Sequence, residues 1–159
     1  MIERTLVLVK PDGVQRGLIG DIIGRFEQRG LKIVGMKMLW IDEKFSKKHY
    51  STHVGKKMYP LLEKFITSAP VVAMAVEGIH AVELVRKVVG STEPKTAPIG
   101  TIRGDYAHVS YDYADEKQIS VKNLVHASGN KEEADQEVGL WFSETELYEY
   151  EASHDRHVL

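Results

Sequence analysis

The apolar positions of this chain fall into short unbroken runs, separated by stretches in which they recur at helical spacing. Thr5 to Val9 is a run of β-branched and apolar residues that reads as a buried strand, stopped by Pro11 and Gly13. Ile19, Ile22, Ile23 and Phe26 then share one face of a helix that Gly30 closes. Leu31 to Ile41 returns to strand character through Ile33, Met36, Met38 and Trp40. Asp42 to Ser68 predicts two short helices. The first is capped by Asp42 and carries Phe45, His49 and Tyr50; the second carries Tyr59, Leu62, Phe65 and Ile66. Pro70 to Val76 is an almost wholly apolar strand ended by Glu77-Gly78. His80 to Val89 is a helix with Leu84, Val85, Val88 and Val89 on its apolar side, closed by Gly90.

The stretch 91–105, with Pro94, Pro98, Gly100 and Gly104, reads as a long ordered loop, and loops of that length in a compact chain are usually functional. Val121 to His126 predicts a last strand. Asn130 to Phe142 predicts a helix with Glu132, Glu133 and Asp135 in its early turns, the charge sign that a helix N-terminus favours. Ser143 to Glu146 has capping-box spacing for a short final helix, and the tail from Ala152 to Leu159 has no strong signal. With the helical pair set aside, the order is βαββαβ. It predicts one α/β (α+β) domain over residues 1–159, an antiparallel four-stranded split-βαβ sandwich with helices packed on one face of the sheet.

Composition narrows the function. A chain of 159 residues that is 43% hydrophobic suits a single domain with a real core. Charged residues make up 28% with both signs interspersed and a net charge of −2, which argues against an acidic disordered chain and against a basic nucleic-acid surface. There is no cysteine, so disulfides and zinc–thiolate sites are excluded. No run approaches the ~18 to 20 apolar residues of a membrane span, and the opening segment lacks a secretory pattern. The expectation is a soluble cytoplasmic protein with no membrane or nucleic-acid partner.

The candidate chemistry centres on Asn123-Leu124-Val125-His126-Ala127-Ser128. His126 ends an apolar run just before a Ser/Gly/Asn loop, and a neutral imidazole held between a strand and a helix is a competent nucleophile. Glu137, on the following helix, is placed to orient its ring. Ser128 is placed either to bond the ring or to cap the helix, and Asn123 either to brace a sugar hydroxyl or to pair with backbone. Lys10 in Lys10-Pro11-Asp12-Gly13 sits at a strand end, where a fixed point charge can offset charge on transferring phosphoryl oxygens. Arg86 and Arg103 can grip phosphate through paired hydrogen bonds, and Thr92 can add a hydroxyl. No Walker loop and no dinucleotide glycine motif is present, so phosphates must be held by side chains. His49 and His53 are spaced as two ligands on one helix face, without the intervening glutamate of a zinc-protease pattern.

Taken together, these segments resemble the nucleoside diphosphate kinase family over nearly the full length. The resemblance is carried by Glu3-Arg4-Thr5-Leu6 running into Lys10-Pro11-Asp12-Gly13, Gly35 and the strand after it, and His49-Tyr50. It continues through Gly100-Thr101-Ile102-Arg103-Gly104-Asp105, Asn123-Leu124-Val125-His126, and Glu137-Val138-Gly139-Leu140-Trp141-Phe142. It implies a ferredoxin-like sandwich and ping-pong transfer of a γ-phosphoryl group from a nucleoside triphosphate to a diphosphate. His126 would be phosphorylated and then discharged, with Glu137 and Ser128 orienting and polarising its ring. Lys10, Tyr50, Arg86, Thr92 and Arg103 match positions that hold the phosphates, and Lys10 and Asn123 those that contact the sugar. The resemblance further implies Mg2+ carried by the nucleotide phosphates without protein ligands of its own, and a homo-oligomer, hexamer or tetramer.

Three departures stand out. The usual Gly-Ser-Asp after the histidine is Ala127-Ser128-Gly129 here. The usual aromatic base platform is Met58, preceded by Lys57 in place of proline. About ten extra residues, 109–118, separate Gly104-Asp105 from Asn123; they are expected to form a surface hairpin or loop near the nucleotide site or a subunit contact, modulating base access or oligomer packing. The readings set against the enzyme are a silent nucleotide-binding scaffold and a nucleic-acid-binding role. The first would require loss of the histidine or arginines, and the second is disfavoured by the charge and by the lack of an aromatic RNA-binding string.

Overall fold

The computed structural model describes residues 1–159. Four strands form one antiparallel sheet: β1 (Ile2–Val9), β2 (Lys32–Leu39), β3 (Val71–Ile79) and β4 (Val125–Ala127), in the spatial order β2-β3-β1-β4. The pairing of β1 with β3 is unbroken from Ile2 opposite Ile79 to Val9 opposite Val72. That order and hand of pairing is the ferredoxin-like α+β arrangement that the βαββαβ pattern predicts.

The helices are not confined to one face. Alternate residues of β1 feed two separate cores. Val7 and Val9 pack with Ile22 and Phe26 of α2 (Ile19–Gln28) and with Val85 and Val89 of α5 (Ala81–Val89). Leu6 and Leu8 pack on the other side with Ile66 of α4 (Tyr59–Ile66) and with Val138 and Trp141 of α8 (Lys131–Trp141). This explains why β1 and β3 read as continuous apolar runs, since both faces of the central strands are covered.

Several boundaries differ from expectation for identifiable reasons. Lys10-Pro11-Asp12-Gly13 is not a plain turn: Pro11 is the first residue of a short helix, α1 (Pro11–Gln15), where its missing N–H is harmless. β3 continues through Glu77 and Gly78 to Ile79. Arg4 and Lys32 pair with the Glu77 carboxylate, and a side chain at Gly78 would collide with Leu31. The loop 91–105 contains a 3₁₀ turn at Pro94–Thr96 and the start of α6 (Ile102–Tyr106), whose first turn is capped by the Thr101 hydroxyl. Residues 109–118 form a helix, α7 (Tyr111–Lys117), capped by Ser110, instead of a hairpin or loop. β4 begins only at Val125, because Leu124 adopts a left-handed φ of 73° that breaks the predicted strand from Val121.

Asp42 does cap α3 (Glu43–His49), and Gly30 and Gly90 follow α2 and α5 with positive φ. Because α3 ends at His49, His53 lies outside the helix and the two are not a helical pair. Asn130, not Ser128, caps α8. Ser143 and Glu146 form the capping box, though on a 3₁₀ turn. The tail, ending in the short α9 (Asp155–Val158), runs along β2 at its bulge, where the Tyr148 N–H donates to the Val34 carbonyl (2.8 Å) and the Tyr150 hydroxyl to that of Ile33 (2.9 Å).

Candidate active site

The ends of β1 and β4, the stretch after α3 and the start of α7 meet around a cavity of about 570 Å³. Lys10, Tyr50, Met58, Arg86, Thr92, Arg103, Asn123, His126 and Glu137 all line it. Ser128 lies behind, fully buried. The structure thus brings together every residue singled out from the sequence, nine on the wall and one as support.

His126 is held by its Nε2. Ser128 Oγ already donates to Glu137 Oε2 (2.6 Å), and His126 Nε2 meets the same oxygen at 2.9 Å. A carboxylate only accepts, so Nε2 carries the proton and Nδ1 keeps its lone pair for chemistry. Burial opposes ionisation of Glu137, but the bonds from His126 and Ser128 outweigh it and hold the carboxyl below its ordinary range. Ser128 neither bonds the ring nor caps α8. Its hydroxyl accepts the Leu6 N–H of β1 (3.3 Å) and fixes Glu137, so its part is to anchor the orienting carboxylate to the sheet. Ser128→Ala is expected to cost about 1–3 kcal/mol of stability in urea unfolding and to lower turnover about tenfold, because a buried N–H and the Glu137 anchor lose a partner.

His49, which the sequence offers only as half of a helical ligand pair with His53 and as part of His49-Tyr50, is part of the site. Its ring stands edge-on to that of His126 (centroids 4.7 Å apart), and its Nδ1 accepts the indole N–H of Trp141 (3.0 Å). Burial, then the neighbouring His126, push its imidazole down to about 3, so it is neutral. It forms an uncharged wall against the His126 ring. His49, His126 and Glu137 cluster closely enough to suggest a metal trio, but Trp141 occupies the Nδ1 lone pair of His49 and leaves the proton on Nε2. The signal in the sequence was the pair His49 and Trp141, which is visible only once α3 and α8 are packed together.

The motif Lys10-Pro11-Asp12-Gly13 is explained by the segment Asn123-Leu124 lying against it. Asp12 Oδ2 accepts the N–H of left-handed Leu124 (3.0 Å), and the Leu124 carbonyl accepts the Lys10 N–H (2.8 Å). A side chain at Gly13 would come within 2.8 Å of Val9 and 3.1 Å of that carbonyl. Asp12 and Gly13 therefore hold the backbone of the β4 entry, while Lys10 points its ammonium to Asn123 Oδ1 (2.8 Å). Asn123 in turn donates to the Thr92 carbonyl (2.8 Å), so Lys10, Asn123 and Thr92 form one chain of polar groups.

Lys10 is buried without a carboxylate partner. Burial, and after it the Arg103 charge, push its ammonium down to about 8 against the pull of Asp12. Its ordinary value is 10.5, so across that interval the unfolded chain holds a proton that the folded one does not. The penalty is fully present below about pH 8 and is relieved as pH rises toward the unfolded value. A polyanion beside Nζ restores the proton. Nucleotide binding at about pH 8.5 is therefore expected to take up protons, seen as a calorimetric enthalpy that changes with the buffer's ionisation heat. A buffer-independent enthalpy would separate Lys10 from the phosphates.

Arg103 is buried and its guanidinium serves three backbone carbonyls: Asn123 (3.1 Å), Gly90 (3.0 Å) and Val125 (2.7 Å). Burial and the nearby Arg86 lower it to about 10, so it stays charged at neutral pH. Three of its five N–H groups are spent on the frame and two remain for a ligand. Arg86 projects from the last turn of α5 into the cavity, with one N–H near the Ala127 carbonyl (3.5 Å). Burial, then the charge of Glu137, raise the Tyr50 phenol, so it stays a neutral donor. Met58 is 42% exposed at the cavity mouth, whereas Tyr59 is buried with its hydroxyl donating to Glu63 (2.8 Å), so Tyr59 does not replace Met58 as a platform.

The chain that builds this cavity, with an imidazole and three cationic side chains on its wall, is similar to known proteins. A family model described as nucleoside diphosphate kinase matches residues 3–147. Nucleoside diphosphate kinases of Pyrococcus furiosus and Thermococcus kodakarensis are 55% and 52% identical, each over 94% of this chain and over 88% and 82% of their own. Among solved structures, one from Borrelia burgdorferi, a transition-state mimic with bound vanadate and ADP, superposes with a TM-score of 0.94. It is 45% identical and covers 97% of this chain and 95% of its own. One from Halobacterium salinarum, in complex with CDP, is 42% identical with a TM-score of 0.88, over 100% and 99%. No helix of this chain is long and apolar enough to cross a membrane. The chain belongs to the nucleoside diphosphate kinase family, enzymes that transfer a phosphoryl group between nucleotides.

Proposed function

We propose that transfer runs in two half-reactions through His126. Nδ1 attacks the γ-phosphorus of a nucleoside triphosphate, typically ATP. The bond from phosphorus to the β–γ bridging oxygen breaks, and the diphosphate leaves. An oxygen of the second diphosphate's terminal phosphate then attacks the phosphorus, the P–N bond breaks and Nδ1 regains its lone pair. The observation that carries this reading is the Nε2–Glu137 bond: while Nδ1 holds the phosphoryl group the ring is cationic, and the carboxylate opposite its N–H stabilises that charge. Lys10, Arg86 and Arg103 offset charge on the transferring oxygens, Tyr50 and Thr92 donate hydroxyl hydrogens, Lys10 and Asn123 hold the sugar, and Met58 packs on the base face. That a relative was captured with vanadate and ADP supports the reading, since vanadate stands in for a phosphoryl group in transit.

The residues fit a magnesium ion that arrives on the nucleotide. The phosphate end is walled by cationic side chains and offers no cluster of carboxylates, while the His49, His126 and Glu137 group is imidazole-rich and unsuited to a hard cation. When bound, the ion supplies charge neutralisation across the phosphates. The same reading extends to a homo-oligomer, hexamer or tetramer, working in the cytoplasm on nucleoside di- and triphosphates.

The test is a half-reaction. Protein mixed with magnesium and γ-labelled ATP, then freed of nucleotide, is expected to carry acid-labile label that GDP removes as GTP. Nucleotide exchange that proceeds without any protein-bound label would replace the relay with direct transfer.

A further inference from the structure

The helix α7 does more than fill a longer connection. It is tied to the 3₁₀ segment beside the phosphate end, where the Lys95 N–H donates to the Val109 carbonyl (3.1 Å) and the Tyr111 N–H to Glu93 Oε1 (2.9 Å). Ser110 caps its first turn and Ala114 is buried beneath it, so its rotation about its own axis is fixed. Tyr111 and Asp115, four apart and therefore on one face, both line the nucleotide cavity, whereas Asp112, Tyr113 and Glu116 do not. The Tyr111 N–H is bonded to Glu93, the neighbour of the cavity-lining Thr92, which marks its turn as the phosphate side. Asp115 sits about 6 Å further along the helix axis.

Beyond the phosphates the cavity wall is largely apolar, with Met58, Leu62, Ile119 and Val121 suited to the faces of a base. Asp115 adds a carboxylate from α7 to that wall. A carboxylate accepts and cannot donate, so it distinguishes bases by the edge they present. Guanine offers two adjacent N–H donors, N1–H and the 2-amino group. Hypoxanthine has lost the second, and adenine presents a lone pair at N1.

We propose that α7 is a base-selecting wall, with Asp115 accepting the paired N–H donors of guanine and biasing the enzyme toward guanine nucleotides. This rests on the cavity being the nucleotide site of the proposed function. The test compares GDP and IDP as acceptors at fixed ATP in wild type, Asp115→Ala and Asp112→Asn. The expected wild-type kcat/KM favours GDP over IDP by about fivefold, a modest factor because the contact lies at an open cavity mouth. The GDP:IDP ratio falls to about one in Asp115→Ala and is unchanged in Asp112→Asn, which faces away from the cavity. An equal ratio in wild type and Asp115→Ala overturns the proposal. Equilibrium Kd values for GDP and IDP on His126→Ala, which holds nucleotide without turning it over, read the same contact apart from the chemistry. A GDP preference in Kd that Asp115→Ala removes sustains the proposal even if the relay through His126 fails, and its absence overturns the proposal even if the relay holds.

Discussion

His126→Ala is expected to lower phosphoryl transfer at least about ten-thousand-fold and to leave no label on the protein after incubation with γ-labelled ATP. The size of the effect follows from the route. With no imidazole at this position the first half-reaction loses its acceptor: His49 is buried with its Nδ1 taken by Trp141, Lys10 points to Asn123, and His53, exposed on the cavity wall, has its Nδ1 against the Thr52 hydroxyl (3.1 Å). The fold should survive, because Glu137 keeps its bond from Ser128 and the His126 side chain, 20% exposed, lines the cavity and is not part of either hydrophobic core. Urea unfolding should therefore move by no more than about 1–2 kcal/mol while activity is lost. The two readouts together separate a missing nucleophile from a damaged protein. Residual label in the variant would place the covalent intermediate on another side chain.

Arg103→Ala is expected to have the largest combined effect on stability and binding. Sequence reasoning treats Arg103 as a phosphate clamp, but its three bonds to the carbonyls of Gly90, Asn123 and Val125 also tie the end of α5 to both sides of Leu124. Leu124 is held at φ 73°, which costs about 1–2 kcal/mol and persists only while its surroundings enforce it. Removing the guanidinium strips donors from three carbonyls and loosens that restraint. A loss of about 3 kcal/mol and a fall in Tm of roughly 10 °C are expected, with a weakening of nucleotide binding of about tenfold or more. Arg103→Lys should not restore either property, since one ammonium cannot span three carbonyls and a phosphate in fixed directions. A lysine variant with wild-type Tm would show that charge alone, not the planar fork, is what the site needs.

Much of this was legible in the sequence, and the misses share a cause. β1, α2 and α5 were readable because each repeats its pattern long enough to be seen, with Gly30 and Gly90 marking the ends. The site residues were readable as motifs, from Lys10 through Arg103 and Asn123 to Glu137. What the pattern hides is most of what is shorter than two turns and whatever is decided across the sheet, although α3 and the turn after Ser143 are legible from their caps. α1, α6 and α7 span five to seven residues each, too few for periodicity, although their N-terminal signals, Pro11, Thr101 and Ser110, stand in plain sight. β4 was overextended because Val121 looks like a strand residue, and only Asp12, on another element, reveals that Leu124 turns away. The tie of Ser128 to the sheet is hidden because its partner, Leu6, lies on β1, and Ser128 reaches His126 only through Glu137. The helices on both faces were hidden because an apolar strand says that it is buried without saying by what.

The bonds that complete the site are among the longest-range in the chain. Lys10 reaches Asn123 across 113 positions, Asp12 reaches Leu124 across 112, and Leu6 reaches Ser128 across 122. A ribosome delivers the N-terminal side of these pairs more than a hundred residues before the other side. A nascent chain can form β1, α2, β2 and β3 and still have no nucleophile, no carboxylate behind it and no partner for its buried lysine. The site is thus assembled only when residues 123–137 meet β1, so recovered activity in a refolding experiment reports the closing of one of the longest loops in the molecule.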